Sequence, residues 1–148
     1  MDLLDQIKIR AMSYGDLDAI VEIDKEVLGK IRPEYWSMKI ELSENRSPMA
    51  SLVAELDGKV VGFILGDASG WEYGIPDTVG WIDTIGVHPQ YRRKGIARIL
   101  FDEMVTNLKA LGVGTLYTFL NWKDWDLLHF FDKMGFQKGD MIHIEKKV

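Results

Sequence analysis

The 148-residue chain has no cysteine. That excludes disulfides, thiolate metal sites and a cysteine nucleophile together, and it makes a reducing compartment the expectation. Histidine is scarce as well. His88, His129 and His143 stand far apart and form none of the short spacings that hold a metal ion, so no metal site is expected. Four prolines are spread along the chain, and no Pro/Gly/Ser linker, internal repeat or low-complexity tract divides it. Residues 1–148 are therefore expected to form a single domain. No stretch approaches the ~18 apolar residues that a membrane span needs. The first ten residues set Asp2 and Asp5 beside Lys8 and Arg10, unlike a signal or transit peptide. A cytoplasmic protein without membrane contact is the expectation. Basic residues are outnumbered 18 to 23, for a net charge of −5. A generally acidic surface repels phosphate backbones, so nucleic acid is not an expected partner.

What is present reads as a folded α/β protein. Apolar residues make up 47% and charged residues 28%, within the globular range and too apolar for disorder. Ile7, Ile9 and Ala11 alternate with Lys8 and Arg10, the pattern of a half-buried strand. Ser13 to Asp16 has the form of a helix start, and Leu17, Ile20, Val21, Val27 and Leu28 share a helical face up to Gly29. Pro33 opens a second helix reaching about Glu44. The runs 52–56 and 59–66 are strands joined by the hairpin pair Asp57-Gly58. Ser69 to Asp77 reads as a loop and Val79 to Val87 as a fourth strand ended by His88-Pro89. A long helix follows to Gly112, then a strand over 115–120, then a helix around Leu127 to Met134 stopped by Gly135. Phe136 to Val148 is expected to supply one or two closing strands. The resulting order is β-α-α-β-β-β-α-β-α-β, a mixed sheet with helices on both faces.

The most informative segment runs from Ile85 to Arg98. A buried strand ends, a short turn follows, and an amphipathic helix starts at a cluster of small residues. The first N–H groups of a helix lack internal partners and carry the positive end of its dipole. Gly95 and Ala97 would let a diphosphate approach that backbone closely. Arg92, Arg93, Lys94 and Arg98 place four cations within seven residues of an acidic protein. A multiply charged phosphate suits that arrangement; a solvated basic helix start with small residues chosen for packing fits it as well. No Gly-x-x-x-x-Gly-Lys-Ser/Thr sequence is present, and the turn lacks the three glycines of a dinucleotide fold.

These residues resemble the GCN5-related N-acetyltransferase (GNAT) family. Arg92-x-x-Gly95-x-Ala97 is similar to that family's acyl-CoA signature, Arg/Gln-x-x-Gly-x-Gly/Ala, and Ile85-Gly86-Val87-x-Pro89 to the strand and turn that lead into it. Asn121 and the later run Phe130-Phe131-Asp132-Lys133-Met134-Gly135-Phe136 resemble the family's closing region. The resemblance covers nearly the whole chain. It implies a GNAT-like fold with a mixed sheet of six to seven strands and about four helices, and acetyl-CoA as cosubstrate.

Residue by residue, the resemblance puts the CoA diphosphate on backbone N–H groups of Arg93, Lys94, Gly95, Ile96, Ala97 and Arg98, with Arg92 beside them. It puts the pantetheine arm against main chain of Ile85 and Val87, which requires the fourth and fifth strands to diverge. Gly86 is the expected place for a bulge that drives them apart, the other reading being close packing. Asn121 would bond the pantetheine amides, unless it serves as a cap or turn residue.

The implied reaction is attack of a primary amine on the acetyl thioester. An amine with a pKa of about 10 is mostly protonated at neutral pH, so a base is needed. Asp83 is the carboxylate of the fourth strand and the expected base, sharing a face with Ile85 and Val87 if the bulge lies beyond it; an ordinary ion pair is the other reading. Glu72 is the reserve base, and the Val87 N–H is the expected oxyanion donor. Phe131 stands where many relatives have a tyrosine that protonates the leaving thiolate, and is expected to pack at the sulfur end of the pantetheine. Trp36, Glu72 and Tyr73 are the expected acceptor rim, since aromatic faces and carboxylates suit a cationic amine. The missing tyrosine leaves open an acyl-CoA-binding regulatory or interaction domain without catalysis. A homodimer is possible in such a family.

Overall fold

Asp57 and Gly58 both take left-handed backbone (φ 51° and 78°), which joins strands β2 (Leu52–Leu56) and β3 (Lys59–Asp67) in a tight hairpin with Leu56 opposite Lys59. The computed structural model describes residues 2–68, 72–76 and 78–148. Around the hairpin the sheet extends on both sides. Strand β1 (Lys8–Ala11) pairs antiparallel with β2, and β4 (Val79–Val87) pairs antiparallel with β3. Strand β5 (Thr115–Thr118) joins β4 in parallel, giving the order β1-β2-β3-β4-β5.

Helices α2 (Leu17–Leu28) and α3 (Pro33–Arg46) cover one face of this sheet and α4 (Ile96–Ala110) the other. The alternation along β3 shows it: Phe63 meets the Trp36 ring edge-on at 5.1 Å, whereas a side chain at Gly62 would meet Ile96 and Leu100 at 3.3–3.4 Å. Ile20, Ile23, Trp36, Ile40 and Phe63 are almost fully buried together, each contributing roughly 1.5–3 kcal/mol by leaving water. Helix α2 ends as its sequence suggests, with Gly29 left-handed (φ 78°). Its buried face turns out to be Ile20, Ile23 and Asp24, with Val27 and Leu28 exposed. A short helix α1 (Leu3–Gln6), not signalled by periodicity, precedes β1.

The chain divides into two units, Met1–Thr118 and Phe119–Val148. In the second, helix α5 (Trp125–Lys133) is capped by the Asp124 side chain, which accepts from the Leu127 N–H, and stops before Gly135 (φ 90°). Phe131 is buried with its ring edge-on to Phe130 and Phe136. The expected closing strands are not formed: among the described residues the sheet has five strands rather than six or seven, and 136–148 carries neither strand nor helix. Met141, Ile142 and Ile144 stand exposed there. Alternating β-prone residues make a strand only when an edge accepts their hydrogen bonds, and propensity alone does not provide that edge.

One charged contact ties β1 to the start of α2. The Asp16 carboxylate accepts from both Nη atoms of Arg10 at 2.8 and 2.9 Å and from the Ser13 N–H at 2.9 Å. Burial pushes the Asp16 pKa up, but the Arg10 fork and the Ser13 N–H outweigh it and hold it below the usual value. A group whose folded pKa is depressed stabilises the fold above its unfolded pKa of about 3.9 and loses that contribution as pH falls further. Asp16→Asn should therefore cost about 1–3 kcal/mol near neutral pH, and the deficit should shrink below about pH 4; urea unfolding at both pH values measures it. Gly66→Ala should cost a similar ~1–3 kcal/mol. Its Cβ would sit 2.7 Å from the Ala50 carbonyl and 2.9 Å from that of Trp81, neither of which can swing away.

Candidate active site

The site begins where two strands part. β4 pairs with β5 only over Val79–Ile82, against Thr115–Thr118. From Asp83 to Val87 that edge of β4 is open among the described residues. The register on the other side decides which groups face the opening. His88 N–H donates to the Val61 carbonyl, so Gly62 and Val87 form a non-hydrogen-bonded pair. Gly86 therefore exchanges its bonds with Phe63, while Ile85 and Val87 turn theirs away from β3 toward the open edge. The Val87 carbonyl accepts from Arg92 Nε at 3.1 Å. The Val87 N–H and the amide groups of Ile85 are left directed outward, in the arrangement that an extended ligand needs to pair as an added strand.

A bulge accompanies the divergence, but not at Gly86. The register shifts between Leu65 and Gly66, opposite Thr84 and Ile82, so Asp83 is the extra residue. Gly86 is small for packing instead: a Cβ there would lie 3.0 Å from the Phe63 ring and 3.6 Å from Ile23. With its amide groups committed to β3, Gly86 does not offer main chain to a ligand. The displaced bulge also changes the direction of Asp83. It faces α3 with Thr84, the face toward which Gly86 looks, and does not share the face of Ile85 and Val87.

Past β4, Pro89–Tyr91 make a single tight turn, Arg92 is extended, and Arg93 (φ 60°) and Gly95 (φ 90°) are both left-handed before α4 starts at Ile96. Arg93 pays roughly 1–2 kcal/mol for that backbone as a non-glycine residue, a kind of strain that collects at binding sites. Sequence periodicity carries no sign of it. Arg92, Arg93, Lys94, Gly95 and Arg98 are exposed, so backbone N–H groups and cations together face solvent at the helix start. Arg98 leans toward Asp102 at 3.6 Å. Ile96 is buried and can contribute only its N–H. Gly95 is also where Leu4 of α1 rests, 3.2 Å from the place of a Cβ.

A polar cluster occupies the α3 side of the bulge. Asp83 accepts from Lys39 Nζ at 2.7 Å, from the Thr84 hydroxyl at 2.7 Å and from the Tyr35 hydroxyl at 3.4 Å. Burial pulls the Lys39 ammonium down, yet the Asp83 carboxylate outweighs it and raises its pKa. Burial, then the same carboxylate, raises the pKa of Tyr35. Arg32 lies 4.3 Å over the Tyr35 ring and grips the buried Asp24 through Nε and Nη2 at 3.0 and 2.9 Å. The ion-pair reading of Asp83 is the arrangement found in the structure. Lys39, Arg32 and Thr84 escaped the sequence reading; the i, i+4 spacing of Tyr35 and Lys39 on α3 was the available signal.

The remaining expected residues divide. Trp36 is fully buried, edge-on to Tyr35 at 5.3 Å, so it backs the cluster and cannot form a rim. Tyr73 is left-handed and 79% exposed, with Trp81 beside it at 6.3 Å, and is free to touch an acceptor. Gly70, Trp71 and the Glu72 side chain lie outside the described residues. In the second unit, Asn121 Oδ1 accepts from the Lys123 N–H at 2.8 Å, a turn contact that leaves its amide nitrogen for a ligand. Phe131 is packed in its aromatic cluster and has no hydroxyl to act as an acid.

Comparison with known proteins gives the family and the fold. Residues 17–136 match the family described as acetyltransferase (GNAT) family. A protein named as an acetyltransferase in Pectobacterium atrosepticum is 27% identical over 145 residues, covering 96% of each chain. Among solved structures, an aminoglycoside N-acetyltransferase, AAC(6')-Iy, in complex with CoA superposes with a TM-score of 0.78 at 18% identity, over 95% of this chain and 94% of that one. A ribosomal-protein-alanine N-acetyltransferase from Brucella melitensis biovar Abortus gives 0.71 at 19% identity, over 96% and 99%. Gly95→Glu should weaken acetyl-CoA binding more than about tenfold beyond Gly95→Ala. The alanine variant shares the backbone strain and the Leu4 contact without the charge, and thermal-shift titration compares the two.

Proposed function

The chain belongs to the acetyltransferase (GNAT) family and is an acetyl-CoA-dependent N-acetyltransferase, and we propose that it transfers the acetyl group at the open edge of β4 to a primary amine of a small molecule or protein. The observation that carries this assignment of the site is the parting of β4 from β5 after Ile82, which leaves the outward amide groups of Ile85 and Val87 without a neighbouring strand. The family match runs through both structural units, which supports one catalytic domain over 1–148.

The residues present fit the cosubstrate. Main chain of Ile85 and Val87 would pair with the pantetheine amides, and the start of α4 with Arg93, Lys94, Gly95, Ala97 and Arg98 would hold the diphosphate. Arg92 has a different part, fastening the turn to the end of β4 through the Val87 carbonyl. When bound, acetyl-CoA supplies an acyl carbon already activated as a thioester.

The protein's tasks are then few. The Val87 N–H, aimed at the opening, stabilises negative charge on the acyl oxygen. Asp83 receives the proton that the acceptor amine must lose, and to do so it exchanges one of its three present donors for that amine. Tyr35 and Tyr73 line the approach with aromatic surface suited to a cation. With Phe131 in place of a hydroxyl-bearing residue, the thiolate leaves without a tyrosine acid, which is tolerable because a thiol pKa near 8.5 makes it a fair leaving group.

The setting follows from coarser features. No helix among the described residues is long and apolar enough to cross a membrane, and the absence of cysteine supports a cytoplasmic location. The net charge of −5 argues against nucleic acid as a partner. The exposed Met141, Ile142 and Ile144 support a homodimer.

CoA-thiol release across a panel of amines and peptides tests the assignment. The wild-type chain should turn over at least one acceptor. Asp83→Asn should lower kcat by about a hundredfold and leave acetyl-CoA affinity within about twofold; unchanged turnover would move the base to Glu72.

A further inference from the structure

The amine that touches Asp83 in the folded chain is not a bound substrate but the chain's own Lys39. Its Nζ lies 2.7 Å from the carboxylate, on a side chain only 28% exposed, with the Tyr35 ring 5.6 Å away. Asp83 precedes Ile85 by two residues and Val87 by four, roughly 6–7 Å and 13 Å along a strand. A lysine with four rotatable bonds, anchored on α3 against the bulge, can swing from Asp83 toward the edge where Ile85 and Val87 direct their amides. Strand β4 therefore carries a proton acceptor already paired to an ammonium, and the proposed oxyanion donor further along, before any acceptor arrives.

We infer that Lys39 is a self-acetylation site, modified within the same chain when acetyl-CoA is present and no other amine competes. This rests on reading the open edge of β4 as the place of the thioester. The Lys39 ammonium gives one proton to Asp83, and its lone pair forms a bond to the acyl carbon. The carbon–sulfur bond breaks and the sulfur leaves with its electron pair. The thiolate takes the second proton from the nitrogen, and Asp83 returns the first to water. The products are a neutral acetyl-lysine amide and free CoA thiol. The amide carries no charge, so Asp83 loses its cation and keeps only the Tyr35 and Thr84 hydroxyls of its three present donors. Self-acetylation would thus open the carboxylate to an incoming amine.

Surface chemistry predicts the opposite order of modification. Lys25 on α2 and Lys109 on α4 are exposed, so uncatalysed acetylation should reach them before the ion-paired Lys39. The experiment incubates the full chain with acetyl-CoA and no added amine, and follows each lysine by peptide mass mapping. Lys39 should gain one acetyl group at least about tenfold faster than Lys25 or Lys109, at a rate independent of protein concentration. Asp83→Asn should slow it about tenfold or more. Lys39→Arg, which keeps the charge, should abolish the modified peptide while Lys25 and Lys109 react as before. Acetyl-CoA binding is measured in parallel by thermal shift. Binding with Lys39 acetylated no faster than Lys109 would overturn the inference and leave the enzyme assignment standing. A Lys39 rate that rises in proportion to protein concentration would also overturn it, since the transfer would then run between chains. No thermal shift would overturn the reading of the site itself, and the inference with it.

Discussion

Backbone amides in the middle of a sheet normally find partners on both sides, and β4 gives that up for half its length. Over Val79–Ile82 it is an interior strand between β3 and β5; over Asp83–Val87 it becomes an edge. Leaving such groups unpaired in a dry interior would cost about 1–3 kcal/mol each, so the opening is tolerable only where water or a ligand reaches it. The bulge at Asp83 makes the change possible by adding twist at the point of parting. The direction of Asp83 toward α3 depends on it, while the outward amides of Ile85 and Val87 follow from the register with β3 beyond it.

The turn proposed for the diphosphate is held from two sides. Arg92 ties it to the last carbonyl of β4, and Leu4 of α1 rests on Gly95. Between these anchors Arg93 is kept in left-handed backbone that a free chain would avoid. A rigid, strained turn presents its N–H groups in advance, so less ordering entropy is lost when an anion arrives. In the proposed site the basic side chains around it would give long-range attraction, and the helix start the close contacts.

On the other side of the bulge, charges are paired with little left over. Asp24 is buried with Arg32, which lies over Tyr35, and Lys39 is bound to Asp83. The aromatic wall of Trp36 and Phe63 behind them fixes the tilt of α3 on the sheet and so the reach of Tyr35 and Lys39. The cluster is positioned by core packing, although its chemistry is polar.

Much of this could be read from residues in order. The Asp57-Gly58 hairpin, the stop of α2 at Gly29, the helix start after Gly95 and the signature from Ile85 to Arg98 are local features, because turn conformation and amphipathic period are decided within a few residues. What depended on distant residues was not legible. Gly86 looked like a bulge and is a packing glycine under Phe63; Trp36 looked like a rim and is core; Phe136–Val148 looked like strand and forms none. Asp83 was named as the carboxylate of the site, but its neighbours came from α3, more than forty residues earlier in the chain. Sequence alone determined the family and the cosubstrate class, through the resemblance carried by Ile85 to Arg98 and by the closing region, and it marked the start of α4 at Gly95, since such signatures lie within a few residues of one another. Only the tertiary structure decided where the strands part and which side chains meet there, because pairing and burial are set by what the rest of the chain brings alongside.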